Sequence, residues 1–294
     1  MDDIRSKNMY GWNNDQLGPT DEKQPSNQKI SIVVPTLNHG DTIEHTLLSI
    51  INQGDQNYEI IIMDGGSSDN TKDIIDKYRD YITYFESRKD NGQSDAINRG
   101  FGFADGDIYA WINSDDYYLP NAFRLVKKTF SENKGIDIVV GSGDVVTKDC
   151  QFLKHIKGLE MKRDNLLGWH NDQWIMQQCC FWTAEIWKKS GGVDEDLHLL
   201  MDYDLWLRFS SLGRSKAIED RIAIMRFYKE AKTVALRSRM KEEEAYVYAK
   251  NRAFPELRTI VKELSLRNEE LTSIVVKYEG SLINKMLRKI GVIK

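Results

Sequence analysis

Asn113-Ser114-Asp115-Asp116 combines residue types that could do chemistry with a position where chemistry is usually done. It follows the apolar run Ile108-Tyr109-Ala110-Trp111-Ile112 and precedes Tyr117-Tyr118-Leu119-Pro120. That run, rich in β-branched and aromatic side chains, reads as a buried strand. Carboxylates at its carboxyl end would sit at the edge where open α/β sheets bind ligands. Adjacent acids repel unless a cation or strong donors lie between them. Hard oxygen ligands at Asp115 and Asp116 suit Mg²⁺ or Mn²⁺, ions that share their shell with substrate phosphates. The competing reading is a solvated strand-to-helix turn in which an Asp serves as a cap.

The elements that would position this stretch alternate. Ile30–Pro35 reads as a strand stopped by proline. Asp41 or Thr42 then caps a helix whose Ile43, Leu47, Leu48, Ile50 and Ile51 share one broad face. Glu59–Met63 is a second buried strand, and Asp64-Gly65-Gly66-Ser67-Ser68-Asp69 is its turn. A helix over 71–80, a short strand near 82–85, a helix over 94–104 and the strand ending at Ile112 continue the rhythm. Such alternation predicts a largely parallel sheet with right-handed crossovers and covered faces.

Beyond Pro120 a helix is expected to about Asn133, then strands Ile136–Val140 and Asp144–Thr147 on either side of a Gly-Ser-Gly turn. Residues 150–182 show no periodicity and read as a binding loop. Helices over 186–190 and 203–212, each closed by glycine, and a strand over 221–227 end the globular part. From Thr233 the pattern is helical, broken at Pro255.

The totals narrow the class. At 294 residues the chain suits one large domain with an appendage, or two small ones. With 41 Lys+Arg against 45 Asp+Glu it lacks the basic excess of a general nucleic-acid binder. Cys150, Cys179 and Cys180 form neither a disulfide framework nor a metal-knuckle spacing, and a reducing cytoplasm is the simpler setting. No apolar run approaches the ~20 residues that span a bilayer, and no signal-peptide core opens the chain. The expected protein is cytoplasmic, soluble or peripheral. Residues 1–28 are polar and read as a loosely held arm.

Two features mark the C-terminal stretch. Leu257, Leu264, Leu271 and Tyr278 recur every seven residues, which fits packing onto the globular part or self-association into a homo-oligomer. Residues 281–294 place Leu282, Ile283, Met286, Leu287, Ile290 and Ile293 at helical spacing among exclusively positive charges. That is the pattern of an interfacial helix at a membrane surface, or of an ordinary solvated terminal helix.

Three turns thus follow successive strands: Pro35-Thr36-Leu37-Asn38, Asp64-Gly65-Gly66-Ser67 and Asn113-Ser114-Asp115-Asp116. Together they could hold a base and ribose, then a diphosphate with its metal. No G-x-G-x-x-G follows the first strand and no G-x-x-x-x-G-K-[ST] exists, which argues against a dinucleotide site and removes the P-loop class.

The stretches SIVVPTLNHGDTIEHTLLSIINQ, YEIIIMDGGSSDNT, DNGQSDAINRGFGFADGDIYAWINSDDYYLP and GGVDEDLHLLMDYDLWLRF, in that order over residues 29–228, strongly resemble family 2 glycosyltransferases. The resemblance implies a GT-A fold: an α/β, mainly parallel sheet flanked by helices over 29–228, with a helical extension over 229–294. It implies inverting transfer from a nucleotide sugar, with UDP the expected nucleotide and Mg²⁺ or Mn²⁺ the ion. The acceptor would be a glycan or lipid-linked glycan in bacterial polysaccharide assembly such as O-antigen or capsule, at the inner face of the cytoplasmic membrane.

Carried over by position, Pro35, Thr36 and Asn38 would line the nucleotide pocket and Asp64 would bond the base. Asp95 would close the pocket around the nucleoside, and Asn113 would stand in for the first acid of the D-x-D form. Asp115 and Asp116 would bind the metal and diphosphate, Lys232 would contact the diphosphate, and Asp202 would be the catalytic base. Met201 replaces the Glu that commonly precedes that base. Tyr228 stands where relatives often carry a His that ligates the metal, with His198 nearby as a substitute. Asp204 is expected to face elsewhere, as a surface or orienting acid or simply as a partner of Arg208 four residues on. Trp182, Trp187 and Trp206 could be core or could stack on sugar. The rival to an active enzyme is a catalytically silent relative that binds nucleotide and serves as an assembly subunit.

Overall fold

The computed structural model describes residues 25–167, 174–228 and 237–270, the side chains of 237–239 excepted. The chain divides into two compact units, Met1–Leu236 and Arg237–Lys294.

The first unit is built on four parallel strands: β1 (Ile30–Thr36), β2 (Tyr58–Asp64), β3 (Tyr84–Ser87) and β4 (Ile108–Trp111), in the order β3-β2-β1-β4. β1 is buried at every position and β4 likewise, as continuous apolar runs demand when helices cover both faces. The helices α1 (Ile43–Ile51), α2 (Thr71–Lys77) and α3 (Gln93–Phe101) are the crossovers. Among the described residues the same sheet continues through β8 (Cys180–Thr183), β6 (Ile138–Thr147), β9 (Ser215–Phe227) and the two-residue β5 (Tyr117–Tyr118), with β7 (Phe152–Ile156) pairing on β6. β8 runs antiparallel to both β4 and β6, while β6 and β9 are parallel. Among the described residues this unit also holds helices α4 (Ala122–Glu132), α5 (Arg163–Leu167), α6 (Ala184–Ser190) and α7 (Met201–Leu212). None of the described helices is long and apolar enough to cross a membrane.

Two expectations give way here. Gly141-Ser142-Gly143 is not a turn: β6 runs through it unbroken, and its pairing with β9 shifts register there. A Cβ on Gly141 would lie 2.4 Å from Ile222, and one on Gly143 would lie 2.6 Å from the Ala223 carbonyl oxygen. The glycines let β9 come close rather than reverse the chain. Residues 150–182 are likewise not one loop, since they contain β7, α5, a 3₁₀ turn at Gln177–Cys179 and β8. β7 is exposed along most of its length, so it has no buried face to write an alternating pattern.

Trp111, Trp182 and Trp206 meet at ring distances of 5.3 to 5.9 Å and are at most 2% exposed. They pin α7 against β4 and β8 as core. Trp187, at 8% exposure, packs on Phe101 and belongs to the same group.

In the second unit a helix, Arg237–Lys250, turns at Arg252 (φ 55°) into a further helix over 254–270. Pro255 sits in the first turn of that helix, where its missing N–H costs nothing. Lys241 bridges Glu244 and Glu263, each at 3.1 Å, and so joins the two helices. Leu257 and Leu264 are half-buried. Leu271, Tyr278 and the basic segment 281–294 lie outside the described residues, as does most of the polar arm.

Candidate active site

The Asn113–Asp116 turn leaves β4 with every carbonyl engaged. The Asn113 oxygen accepts from Asp116 N (3.0 Å), Ser114 O from the Thr42 hydroxyl (2.9 Å), Asp115 O from the Arg226 guanidinium and Asp116 O from the Thr46 hydroxyl (2.6 Å). Thr42 and Thr46 begin a polar stripe on α1 that sequence reasoning passed over. Ser49 Oγ accepts from Tyr118 N (3.1 Å), and the Gln53 amide donates to Leu119 O (2.8 Å). Thr46 and Ser49 share one face of α1, with Thr42 at its N-cap and Gln53 just past its end. Thr46 and Ser49 have no exposed surface, and Thr42 and Gln53 are about as buried. Thr42 therefore does not cap α1 with its side chain as expected; its hydroxyl serves the turn.

The two aspartates have parted company. Asp116, expected to share a metal with Asp115, is 2% exposed, and both of its oxygens are taken: Oδ2 by the Gln178 amide, Oδ1 by Arg226 N at 2.9 Å. Burial first, and Asp115 second, push its carboxyl well above the usual range. Asp116 thus ties the turn to β9 and the 177–179 segment. Asp115 is half-exposed; its Oδ2 accepts from the Tyr228 hydroxyl at 2.7 Å. Burial and then Asp115 raise the Tyr228 phenol, so it remains a protonated donor. Among the described residues no cluster of three or more His, Cys, Asp or Glu could hold a metal unaided. One half-exposed carboxylate still fits Mg²⁺ or Mn²⁺, because such ions take a protein oxygen or two and fill the rest of the shell from phosphates and water.

At the neighbouring strand ends, Thr36 and Asp64 are sheet partners. Thr36 Oγ1 is buried and has no hydrogen-bond partner among the described residues. Asp64 has no exposed surface; it accepts from Ser67 N (3.1 Å), Ser67 Oγ (2.5 Å) and Ser87 Oγ (2.5 Å). It folds its own turn, and contact with a base does not follow from this arrangement. Asn38, exposed and in the left-handed region (φ 56°), donates its N–H to Ser67 Oγ (2.7 Å) and accepts from Ser68 N (2.8 Å). The turns after β1 and β2 are therefore laced to one another. Pro35 is buried at the end of β1. Asn113 Oδ1 accepts from Gln93 (2.7 Å), linking the first residue of the motif to the start of α3. Asp95, in the same first turn, accepts from Asn91 N (3.0 Å) and Arg99 (3.2 Å) and so shapes the approach to α3.

Asp202 lies half-buried in the first turn of α7 and accepts from Tyr203 N at 2.8 Å. The segment before α7 is moored to α3: Ser94 donates to Leu197 O (2.8 Å), and Asn98 exchanges hydrogen bonds with Val193 (2.9 Å each way). Asp204 is not a surface acid: it has no exposed surface, because α7 turns it inward to pair with Arg208 through two contacts of 3.0 and 2.8 Å, the i, i+4 pairing the spacing offered. His198 lies by Gly92, ahead of α3. Lys232 falls outside the described residues.

A family model described as Glycosyl transferase family 2 matches residues 31–189. A chondroitin synthase of Pasteurella multocida is 27% identical over 64% of this chain and 19% of its own. Curated relatives matched at 27–28% identity are spanned over 19 to 58% of their length. Two solved structures share the fold. Staphylococcus aureus TarS 1–349 in complex with UDP-GlcNAc has a TM-score of 0.62 at 16% identity, covering 75% of this chain and 66% of that one. The mannosyltransferase PcManGT of Pyrobaculum calidifontis, in complex with GDP-Man and Mn²⁺, has a TM-score of 0.59 at 16% identity, covering 94% and 86%.

Proposed function

The chain belongs to glycosyl transferase family 2 and has the GT-A fold, and on that premise we propose that it is an inverting, metal-dependent glycosyltransferase. The donor is a UDP-sugar and the acceptor a glycan or lipid-linked glycan in polysaccharide assembly. The observation that carries this reading is the Asn113–Asp116 turn. Its backbone is fixed at all four carbonyls, so the half-exposed Asp115 carboxylate is presented from a rigid support at the carboxyl ends of parallel strands. Complexes of two fold relatives with UDP-GlcNAc and with GDP-Man and Mn²⁺ support the ligand classes.

In this reading residues 29–228 carry the chemistry. The unpartnered Thr36 hydroxyl and the Asn38 side chain line the nucleotide pocket, with Asp64 as the post that holds their turns together. A divalent ion held by Asp115 would offset the negative charge that develops on the leaving diphosphate. Lys232 adds a second positive charge there. Asp202 removes the acceptor hydroxyl's proton as that oxygen attacks the anomeric carbon; the bond to the diphosphate breaks on the opposite face, which inverts the centre. The mooring of 193–198 on α3 holds Asp202 at a set distance from the donor side.

The test is UDP release from a panel of UDP-sugars with Mn²⁺, with and without oligosaccharide acceptors. Metal-dependent release that Asp202→Asn abolishes supports the assignment. No release from any nucleotide sugar, together with intact UDP binding, would favour the silent assembly subunit instead.

A further inference from the structure

The end of β9 and the residue just past it both reach the metal turn. Arg226 is 3% exposed; its N–H holds the Asp116 carboxylate, and its guanidinium donates to Asp115 O and to His45 Nδ1 while lying 4.6 Å over the Tyr117 ring. Two residues on, Tyr228 donates its hydroxyl to Asp115 Oδ2 at 2.7 Å. Arg226 near the end of β9 and Tyr228 just past it thus grip both the main chain and the side chain of one aspartate. The Tyr228 ring is held in turn by Lys148, 5.7 Å from its centroid, and Lys148 is paired with Asp41 at 2.6 Å. Asp115 Oδ1 has no hydrogen-bond partner among the described residues.

We propose that Arg226 and Tyr228 are positioning residues that clamp Asp115, so that a divalent ion meets one protein carboxylate oxygen and binds tightly only together with a nucleoside diphosphate. The proposal rests on the donor assignment above. A protonated phenol that occupies one carboxylate oxygen draws charge from it and bars a two-oxygen grip. The remaining oxygen is a single hard donor, too little to strip water from Mg²⁺ or Mn²⁺ without phosphate oxygens beside it. Tyr228 is therefore not a lost ligand but an orienting donor, and such outer partners commonly set ion affinity by 10- to 100-fold.

The test is Mn²⁺ titration of the full chain followed by electron paramagnetic resonance, with and without saturating UDP, for wild type and Tyr228→Phe. Wild type should bind Mn²⁺ at least tenfold more tightly with UDP than alone. Tyr228→Phe should raise the Mn²⁺ half-saturation with UDP by about tenfold, while uridine binding by saturation-transfer NMR stays unchanged. Equal half-saturation in the two proteins overturns the clamp and leaves the donor assignment standing. Mn²⁺ bound by wild type equally well without UDP overturns it too, whatever the variant's stability. If neither UDP nor uridine binds wild type, the donor assignment fails and the clamp with it.

Discussion

Asp116→Asn exchanges a buried carboxylate for an amide of the same size, and it should be tolerated where Asp115→Asn is not. Two N–H groups point at Asp116, one from Gln178 and one from the Arg226 backbone. An asparagine oxygen can keep the second. Its amide nitrogen then needs an acceptor where the Gln178 nitrogen stands, and Gln178 Oε1 is buried without a partner. Turning the Gln178 amide end over supplies that acceptor with no change in packing. Two hydrogen bonds exist before and after; the loss of charge assistance, about 1 kcal/mol each, is offset by removing a buried charge. The net change should stay within about 1 kcal/mol, a shift in Tm of roughly 2–4 °C. Asp116→Ala instead strands both donors and should cost about 2–6 kcal/mol.

The pH dependence separates these further. The folded-state pKa of Asp116 is raised, so between the ordinary carboxylate value and the folded value the native state binds more protons than the unfolded chain. Wild-type stability therefore falls as pH rises through that interval, and Asp116→Asn lacks this decline. Calorimetric Tm from pH 4 to 8, paired with UDP titrations in Mn²⁺, reads both effects. Asp115→Asn should fold normally and lose at least about tenfold in Mn²⁺-dependent UDP affinity. An Asp116→Asn protein that folds normally but loses UDP and Mn²⁺ as severely as Asp115→Asn would refute the division of labour.

Asp202→Asn should leave UDP binding within a few-fold and lower turnover by about 10²- to 10⁴-fold, measured at saturating donor; near-normal transfer removes the base assignment. Asp204→Asn should act on stability instead, costing about 1–3 kcal/mol in urea unfolding by weakening a buried pair with Arg208, with turnover of the folded fraction within a few-fold. EDTA should weaken UDP binding in calorimetry, and equal affinity with and without it would end the metal role of Asp115. Gly143→Ala sets a Cβ against the Ala223 carbonyl and should cost about 1–3 kcal/mol, read as a lower urea midpoint. Removing 281–294 should release the protein from anionic vesicles with donor hydrolysis intact; full-length protein that fails to sediment with them at low salt refutes the membrane assignment.

The parallel half of the sheet was legible because β1, β2 and β4 are short apolar runs between glycine- and aspartate-rich turns, and the turns at 36, 64 and 115 follow from where those runs stop. Other features were hidden for identifiable reasons. Thr46, Ser49 and Gln53, and the hydroxyl of Thr42 at the N-cap, act on partners that lie 66 to 72 residues away, which the apolar pattern of α1 does not encode. The roles of Asp116 and Tyr228 depend on contacts spanning 62 to 113 residues, which adjacency in the chain cannot report. Gly141 and Gly143 carry the composition of a turn, and only the closeness of β9 reveals that they serve strand packing.

The polar face of α1 also bears on how this turn could be re-engineered. Four residues look like a cassette to be exchanged between relatives for a change of ion or donor preference. Here the cassette is wired to Thr42 and Thr46 on one side and to Arg226 on the other. A graft arriving without matching hydroxyls and guanidinium strands three carbonyls, at about 1–3 kcal/mol apiece where they are buried. The transferable module is the turn together with one face of α1 and the end of β9, discontinuous in sequence and contiguous in space.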